Sequence, residues 1–295
     1  MPCMTTDAYT AGREFLDREG RLVERRLAAV IFDGADPSGA VDAVRAYRNA
    51  DGGFGHGLEP DKRCPASLPI DVEFALDVLL AVDITGQSRD ADDMVDGACD
   101  WLASVAAPDG AVPSAFPVIE GYPRAEHWSD WAYTPALNPN AGLAGRLHAM
   151  AVRHPWLNRA TEWCWNRLES GFDEDAHALG EVLMFLAHVP DRDRAEAVAA
   201  HVGAWLAKPP RWYRADPADP AYGQTPLHLA PTPDSPWRQL FDDATIDGHL
   251  DRLAADQQPD GGWPITWEPP SLDSTLAWRG IETLRALRVL RAYGR

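Results

Sequence analysis

Between His56 and Glu73 the chain reads HGLEPDKRCPASLPIDVE, a stretch in which His56, Glu59, Asp61, Arg63, Asp71 and Glu73 all carry ionisable groups. It runs into DVEFALDVLLAV, apolar nearly all round beyond its first turn, which predicts a helix buried on every side. A carboxyl carried into such a helix start loses solvation, its pKa rises, and it becomes a general acid near neutral pH. Asp71 and Glu73 are therefore the candidate catalytic acids, with His56 or Arg63 to orient them, and Glu59, Asp61 and Arg63 are candidate ligand contacts. The plain structural alternative is that Asp71 and Glu73 complement the positive end of their helix, with Arg63 paired to an acid.

Other residues gather around this stretch by pattern. His177 and Glu181 are four apart on a helical segment and share a face, so they are expected to form a polar pair on a cavity wall. Trp128, Trp131, Tyr133, Trp212 and Trp278 are expected to line or cover the cavity. Their faces would stabilise a cation by about 0.5–2 kcal/mol each, or stack on sugars. Trp267 and Glu268 are further candidate ligand contacts, but Glu59 and Glu268 hold matching places in a repeat, and equivalent positions predict equivalent structure, each Glu tying its loop to a neighbouring helix terminus and Trp263 and Trp267 packing. The acid run Asp90, Asp92, Asp93 and Asp96 reads as a solvated helix start. No metal-ligand spacing, phosphate loop, nucleophile elbow or zinc-protease motif is present.

The elements that hold these residues follow from a repeat. Asp51-Gly52-Gly53-Phe54-Gly55-His56-Gly57-Leu58-Glu59-Pro60 aligns without a gap on Asp260-Gly261-Gly262-Trp263-Pro264-Ile265-Thr266-Trp267-Glu268-Pro269, and Pro108-Asp109-Gly110-Ala111-Val112-Pro113 is a weaker copy. A helical pattern with one apolar stripe precedes each copy, and a more apolar helix follows the first and third. In the last leading helix the stripe is Ile246, Leu250, Leu253 and Ala254. A further pair predicts a stripe of Trp156, Ala160, Trp163, Cys164 and Leu168. Alternation of all-round and one-sided helices predicts two concentric layers, with D-G-G turns leading from an outer helix to an inner one. No persuasive strand pattern interrupts them. The expected fold is all-α, a single α/α toroid over residues 1–295. Long loops at its mouth span 120–139 and the proline-rich 208–237, the latter a lid.

Acids outnumber Lys and Arg 45 to 27, a net charge of −18, which disfavours nucleic acid and anionic membrane surfaces. Cys3, Cys64, Cys99 and Cys164 form no C-x-x-C pair. Few cysteines, no apolar leader and no run of about 20 apolar residues predict a cytoplasmic protein with no integral membrane segment.

QQPDGGW, residues 257–263, resembles the Q-x-x-D-G-G-W repeat of triterpene cyclases of the squalene–hopene type, and related repeats occur in protein prenyltransferase β subunits. The resemblance is specific at 51–60 and 257–269 and runs as a pattern from about Ser38 to Arg295. It implies an α/α toroid around a central cavity. It also implies a class II terpene cyclase-like isomerase or lyase, in which a D-x-D-D acid at an inner-helix start protonates an alkene or epoxide. Asp71 and Glu73 take the first and third places of that motif and Phe74 stands at its last; Asp90-Ala91-Asp92-Asp93 matches by letter but opens an outer helix. The implied guest is an isoprenoid, with no cofactor unless a diphosphate substrate brings magnesium. Two alternatives stand beside it: a carbohydrate-active hydrolase or lyase with Glu59 and Glu73 as its carboxylates, and a non-catalytic toroid that binds a hydrophobic ligand or a protein.

Overall fold

The computed structural model describes residues 6–82, 86 and 88–295; Cys3 lies outside them. Thirteen α-helices carry the chain among the described residues: α1 Thr6–Glu19, α2 Leu22–Asp33, α3 Ser38–Arg45, α4 Pro69–Ala81, α5 Arg89–Val105, α6 Leu137–Ala149, α7 Pro155–Glu169, α8 Ala176–His188, α9 Arg192–Ala199, α10 Val202–Ala207, α11 Pro226–Leu229, α12 Asp243–Ala255 and α13 Leu272–Ala292. No strand forms among them, only three isolated bridges. The fold is all-helical.

Sequence periodicity sorts the helices by burial. In α4 and α6 buried residues occur on every face, Ile70 to Leu79 and Pro139 to Leu147. In α5, α7 and α12 they keep to one stripe. Two stripes each differ from expectation in one member. In α7 Trp165 is buried alongside Trp156, packed edge-on against Phe185 at 4.8 Å, and Trp163 is half-buried. In α12 His249 takes the place expected of Ala254 and bonds the Ala215 carbonyl at 3.0 Å, while Ala254 is exposed. Helices α1 and α2, within residues 6–33, form a pair that the repeat pattern does not cover.

The three D-G-G copies fold alike. In each, the middle glycine has a positive φ, +93° at Gly52, +95° at Gly110 and +90° at Gly261. The Asp side chain accepts the backbone N–H two residues on, at 3.0 Å from Gly53, 3.2 Å from Ala111 and 3.1 Å from Gly262. The left-handed backbone excludes a side chain cheaply only at glycine. Close approach adds a second reason. A Cβ on Gly52 would lie 2.7 Å from the Gly97 carbonyl oxygen of α5, and one on Gly110 2.7 Å from the Ala160 nitrogen of α7. One on Gly261 would strike the Ala11 carbonyl of α1. Each turn thus seats its backbone on another helix. The residue after it is buried in every copy: Phe54, Val112 and Trp263, the last donating its indole N–H to the Leu253 carbonyl at 2.7 Å.

Helix neighbours run in order. α2 packs on α3 and α4, α4 on α6, α6 on α8, α8 on α11, α11 on α12, α12 on α13, and α13 on α1 and α2. Cys64, Cys99 and Cys164 are buried thiols. No helix of the described residues is long and apolar enough to cross a membrane.

Candidate functional site

The turn after Phe54 drives charge inward. Gly57 has φ +71°, and a Cβ there would press on the Lys62 carbonyl at 2.9 Å, so the chain doubles back over residues 57–62. Arg21, at the start of α2, holds the fold-back by donating to the carbonyls of Gly57 at 3.3 Å and Leu58 at 2.8 Å. Glu59, Asp61 and Lys62 are consequently buried. Lys62 Nζ lies 2.6 Å from Glu59 Oε2 and 3.2 Å from Asp71 Oδ2. The Trp128 ring covers it at 4.9 Å. Burial alone would discharge the ammonium, but Asp71 and Glu59 outweigh it and raise the Lys62 pKa. Asp71 Oδ1 accepts the Glu59 backbone N–H at 2.8 Å. Burial pushes the Asp71 carboxyl up to about 6 against the pull of Lys62.

Asp61 occupies a different setting. Its Oδ1 accepts the indole N–H of Trp278 at 2.7 Å and of Trp267 at 3.3 Å. Its Oδ2 lies 3.4 Å from Nε2 of His127, a half-exposed ring. Burial, then the charge of Glu59, pushes the Asp61 carboxyl up to about 7, against the indole hydrogen bonds. Burial lowers the His127 pKa, so that imidazole is neutral at pH 7 and faces an acid poised between its two forms.

Aromatic rings extend from Asp61 as a wall. Trp267 meets Trp278 edge-on at 5.0 Å, Tyr222 meets Trp267 at 5.5 Å, and His177 stacks on Tyr222 at 5.5 Å. Trp212 closes the row on His177 at 5.6 Å, and Phe74 of α4 backs Trp278 at 5.9 Å. His177 Nδ1 lies 3.3 Å from Asp175, leaving Nε2 to accept the Tyr222 hydroxyl at 2.7 Å. The segment 208–237 is thereby docked through Tyr222 and Trp212.

A second charged cluster lies on α4, α6 and α8. Arg146 Nη1 bonds Glu73 Oε1 at 2.9 Å and Glu181 Oε2 at 2.5 Å, and its Nε and Nη2 take Asp77 at 2.5 and 3.1 Å. Gly142 makes room, since a Cβ there would collide with both glutamates. Burial, then Glu181, holds the Glu73 carboxyl well above its ordinary range.

Several expectations are corrected by this geometry. Asp71 and Glu73, two positions apart on one helix, point in different directions, one to Lys62 and one to Arg146. His56 sits on an exposed turn at φ +58°, bonded to Asn49 at 2.9 Å, and orients neither acid. Arg63 is largely exposed and reaches Asp273 at 3.8 Å. Glu59 and Glu268 are not equivalent, the first buried on Lys62 and the second exposed, because only the first copy is followed by a lysine-bearing fold-back. His177 and Glu181 do not pair with each other; they belong to the Tyr222 and Arg146 clusters. Trp131 is half-exposed and stacks on Trp128 at 5.3 Å. Tyr133 bonds Glu120 at 3.1 Å. Trp212 carries Arg211 over its face at 4.1 Å. Asp90 is exposed and pairs with Arg45 at 2.7 Å.

Sequence reasoning missed Lys62, His127, Asp77 and Arg146, and placed Tyr222 only as one of the aromatics of the 208–237 lid. Only Lys62 carried a signal: it is one of two lysines in a chain whose other bases are arginines, and a compact ammonium suits a tight buried pair. Among the described residues no group of three or more His, Cys, Asp or Glu is set to hold a metal. A comparison with known protein families finds no matching family model, and a comparison with curated proteins finds no match.

Proposed function

We propose that the chain is a carbohydrate-active enzyme on an α/α toroid, with Asp61 as its general acid and the aromatic wall as its ligand bed. The observation that carries this reading is the Asp61 carboxyl, held by two indole N–H groups at the foot of a row of rings. The toroid is supported by the ordered succession of helix neighbours and by the Gly261 turn, which brings the last repeat against α1. Residues 6–295 then form one domain, with 208–237 as the strap over its mouth.

The chemistry follows from the acid. A carboxyl poised near pH 7 is matched to donating a proton to a departing glycosidic oxygen under neutral conditions. Glu59, fixed by Lys62, supplies the second carboxylate of such a reaction. Asp61 takes the place expected of Glu73, which Arg146 holds elsewhere. Sugar rings stack on Trp267, Trp278 and Tyr222 and satisfy the polar groups between them.

A class II terpene cyclase is the second reading, favoured by the D-G-G turns and by rings placed to stabilise a cation. Two points weigh against it. An alkene carbon is a far weaker base than an ether oxygen and needs a stronger acid than Asp61. The Asp61 carboxyl and the half-exposed His127 at the foot of the wall suit a hydroxylated guest better than a hydrocarbon.

The test is turnover on a panel of aryl glycosides and oligosaccharides beside squalene and geranylgeranyl diphosphate. A glycoside is expected to be cleaved, and Asp61→Asn to lower kcat/KM about a thousandfold with an unchanged circular dichroism spectrum. Because Asp61 acts in its protonated form, the rate should fall as pH rises through about 7. Isoprenoid turnover alone, or an Asp61→Asn enzyme as active as wild type, would overturn the proposal.

A further inference from the structure

Hydrolysis of a glycoside needs a base for the attacking water as well as an acid for the departing oxygen. Glu59 is 3% exposed and tied to Lys62 at 2.6 Å, so it lends charge to the site without meeting a water at the wall. Tyr222 stands on the open side, 39% exposed. One ring separates it from Asp61: Tyr222 meets Trp267 edge-on at 5.5 Å, and the Trp267 indole N–H reaches Asp61 at 3.3 Å. Burial, then the charge of Asp61, raises the Tyr222 pKa, so the phenol and the acid border one space.

Two groups stand in line behind that hydroxyl. Tyr222 donates to His177 Nε2 at 2.7 Å, and Nδ1 on the other side of the imidazole lies 3.3 Å from Asp175 Oδ1. Asp175 is fixed in turn as the N-cap of α8, where it accepts the backbone N–H of His177 at 2.8 Å and of Ala178 at 3.2 Å. The strap holds Tyr222 from its own side. Ala176 N–H donates to the Arg211 carbonyl at 2.9 Å and Gln224 N–H to the Trp212 carbonyl at 2.7 Å, and a Cβ on Gly223 would strike that same carbonyl. Hydroxyl, imidazole and carboxylate in this order activate a hydroxyl that does not ionise by itself. Its proton leaves as the imidazole takes it, and the carboxylate stabilises the imidazolium.

We propose that Tyr222, His177 and Asp175 are a proton relay, in which the Tyr222 oxygen is the base that activates the attacking water. The relay itself stands on this geometry; its substrate rests on the carbohydrate reading. A water between Tyr222 and the anomeric carbon gives a proton to the Tyr222 oxygen as the Tyr222 proton passes to His177 Nε2. The hydroxide bonds to the anomeric carbon, the glycosidic bond breaks with its electron pair on the departing oxygen, and that oxygen takes the Asp61 proton. A free sugar and an alcohol result, and the His177 imidazolium returns its proton through solvent to Asp61. Because the water enters opposite the departing oxygen, the anomeric configuration is inverted.

Phenylmethanesulfonyl fluoride reads the relay without a substrate: the Tyr222 oxygen attacks sulfur, fluoride leaves, and the phenol proton passes to His177. Tyr122 is the internal control, 37% exposed, with a hydroxyl that makes no hydrogen bond among the described residues. Peptide mass spectrometry should find Tyr222 labelled at least about tenfold faster than Tyr122. His177→Gln should bring Tyr222 down to the Tyr122 rate, and Asp175→Asn, which keeps the α8 cap, should slow it with the circular dichroism spectrum unchanged. On an aryl glycoside that the wild type cleaves, Tyr222→Phe keeps the stacking ring and should lower kcat about a hundredfold with little change in KM, and nuclear magnetic resonance should show the inverted anomer first. Labelling at the Tyr122 rate, labelling indifferent to His177→Gln, a Tyr222→Phe defect confined to KM, or a retained anomer would overturn the proposal. Fast labelling with no glycoside cleaved spares the relay and sinks the carbohydrate reading; cleavage without fast labelling does the reverse.

Discussion

Lys62 has no exposed surface, and its charge is maintained by Glu59 and Asp71 at 2.6 and 3.2 Å. Breaking a buried pair by removing one partner costs more than the pair contributes, because the remaining charge stays unsolvated. Lys62→Met should therefore cost about 3–5 kcal/mol in urea unfolding at pH 7. The deficit has a definite pH dependence. Burial already raises the Asp71 carboxyl to about 6 against the pull of Lys62, and without the ammonium Asp71 favours its neutral form still more strongly in the folded state than in the unfolded one. The variant then loses stability as pH rises through the range of Asp71, and its deficit should shrink below about pH 4, where that carboxyl is protonated in both states. A constant deficit from pH 4 to 8 would mean that Lys62 matters only for packing. At this scale the sequence was partly legible. The acids of 59–73 stood out by type, but which of them met depended on side-chain direction. Asp61 reaches Trp267 and Trp278 across more than 200 positions, and no spacing rule connects residues so far apart.

The turns between helices are the most transferable element. Gly52, Gly110 and Gly261 share one conformation and one kind of seat, and that much was readable from D-G-G as a repeated sequence. What each glycine touches was not, since the seats lie on α5, α7 and α1. The two demands on these glycines can be separated. Gly171 has φ +109° and nothing within 4 Å of a built Cβ, whereas Gly261 combines φ +90° with the Ala11 carbonyl. Gly171→Ala should cost about 1 kcal/mol, the backbone term. Gly261→Ala should cost at least about 3 kcal/mol, because α1 must also move. Equal losses by thermal unfolding would show that close approach is not what selects glycine there. The same reasoning explains the shifts in α7 and α12. A helical period specifies a face to within one residue, and the neighbour decides which side chain fills it, as Phe185 does for Trp165.

For the whole molecule, the contact that matters most joins the two ends of the described chain. Gln257 donates to the Ala8 carbonyl at 2.8 Å, Arg18 to the Asp260 carbonyl at 3.1 Å, and α1 packs along α13. If the helices form the proposed ring, deleting residues 1–20 opens it, exposing α13 and the Trp263 turn together. Such a chain should lose its single cooperative calorimetric transition, and not merely show a lower Tm. A sharp transition displaced by a few degrees would mean that α1 is peripheral. By itself the sequence determined the all-helical class, the turns and the apolar stripes, because periodicity and glycine chemistry act over a few residues. It also marked the acids of 59–73 as unusual. The partners were decided only by tertiary structure: Lys62 with Glu59 and Asp71, Arg146 with Glu73 and Glu181, Asp61 with two tryptophans. Burial makes a charge costly wherever it lies, but the group that offsets the cost is chosen by distance in space, which the fold sets and the order of residues does not display.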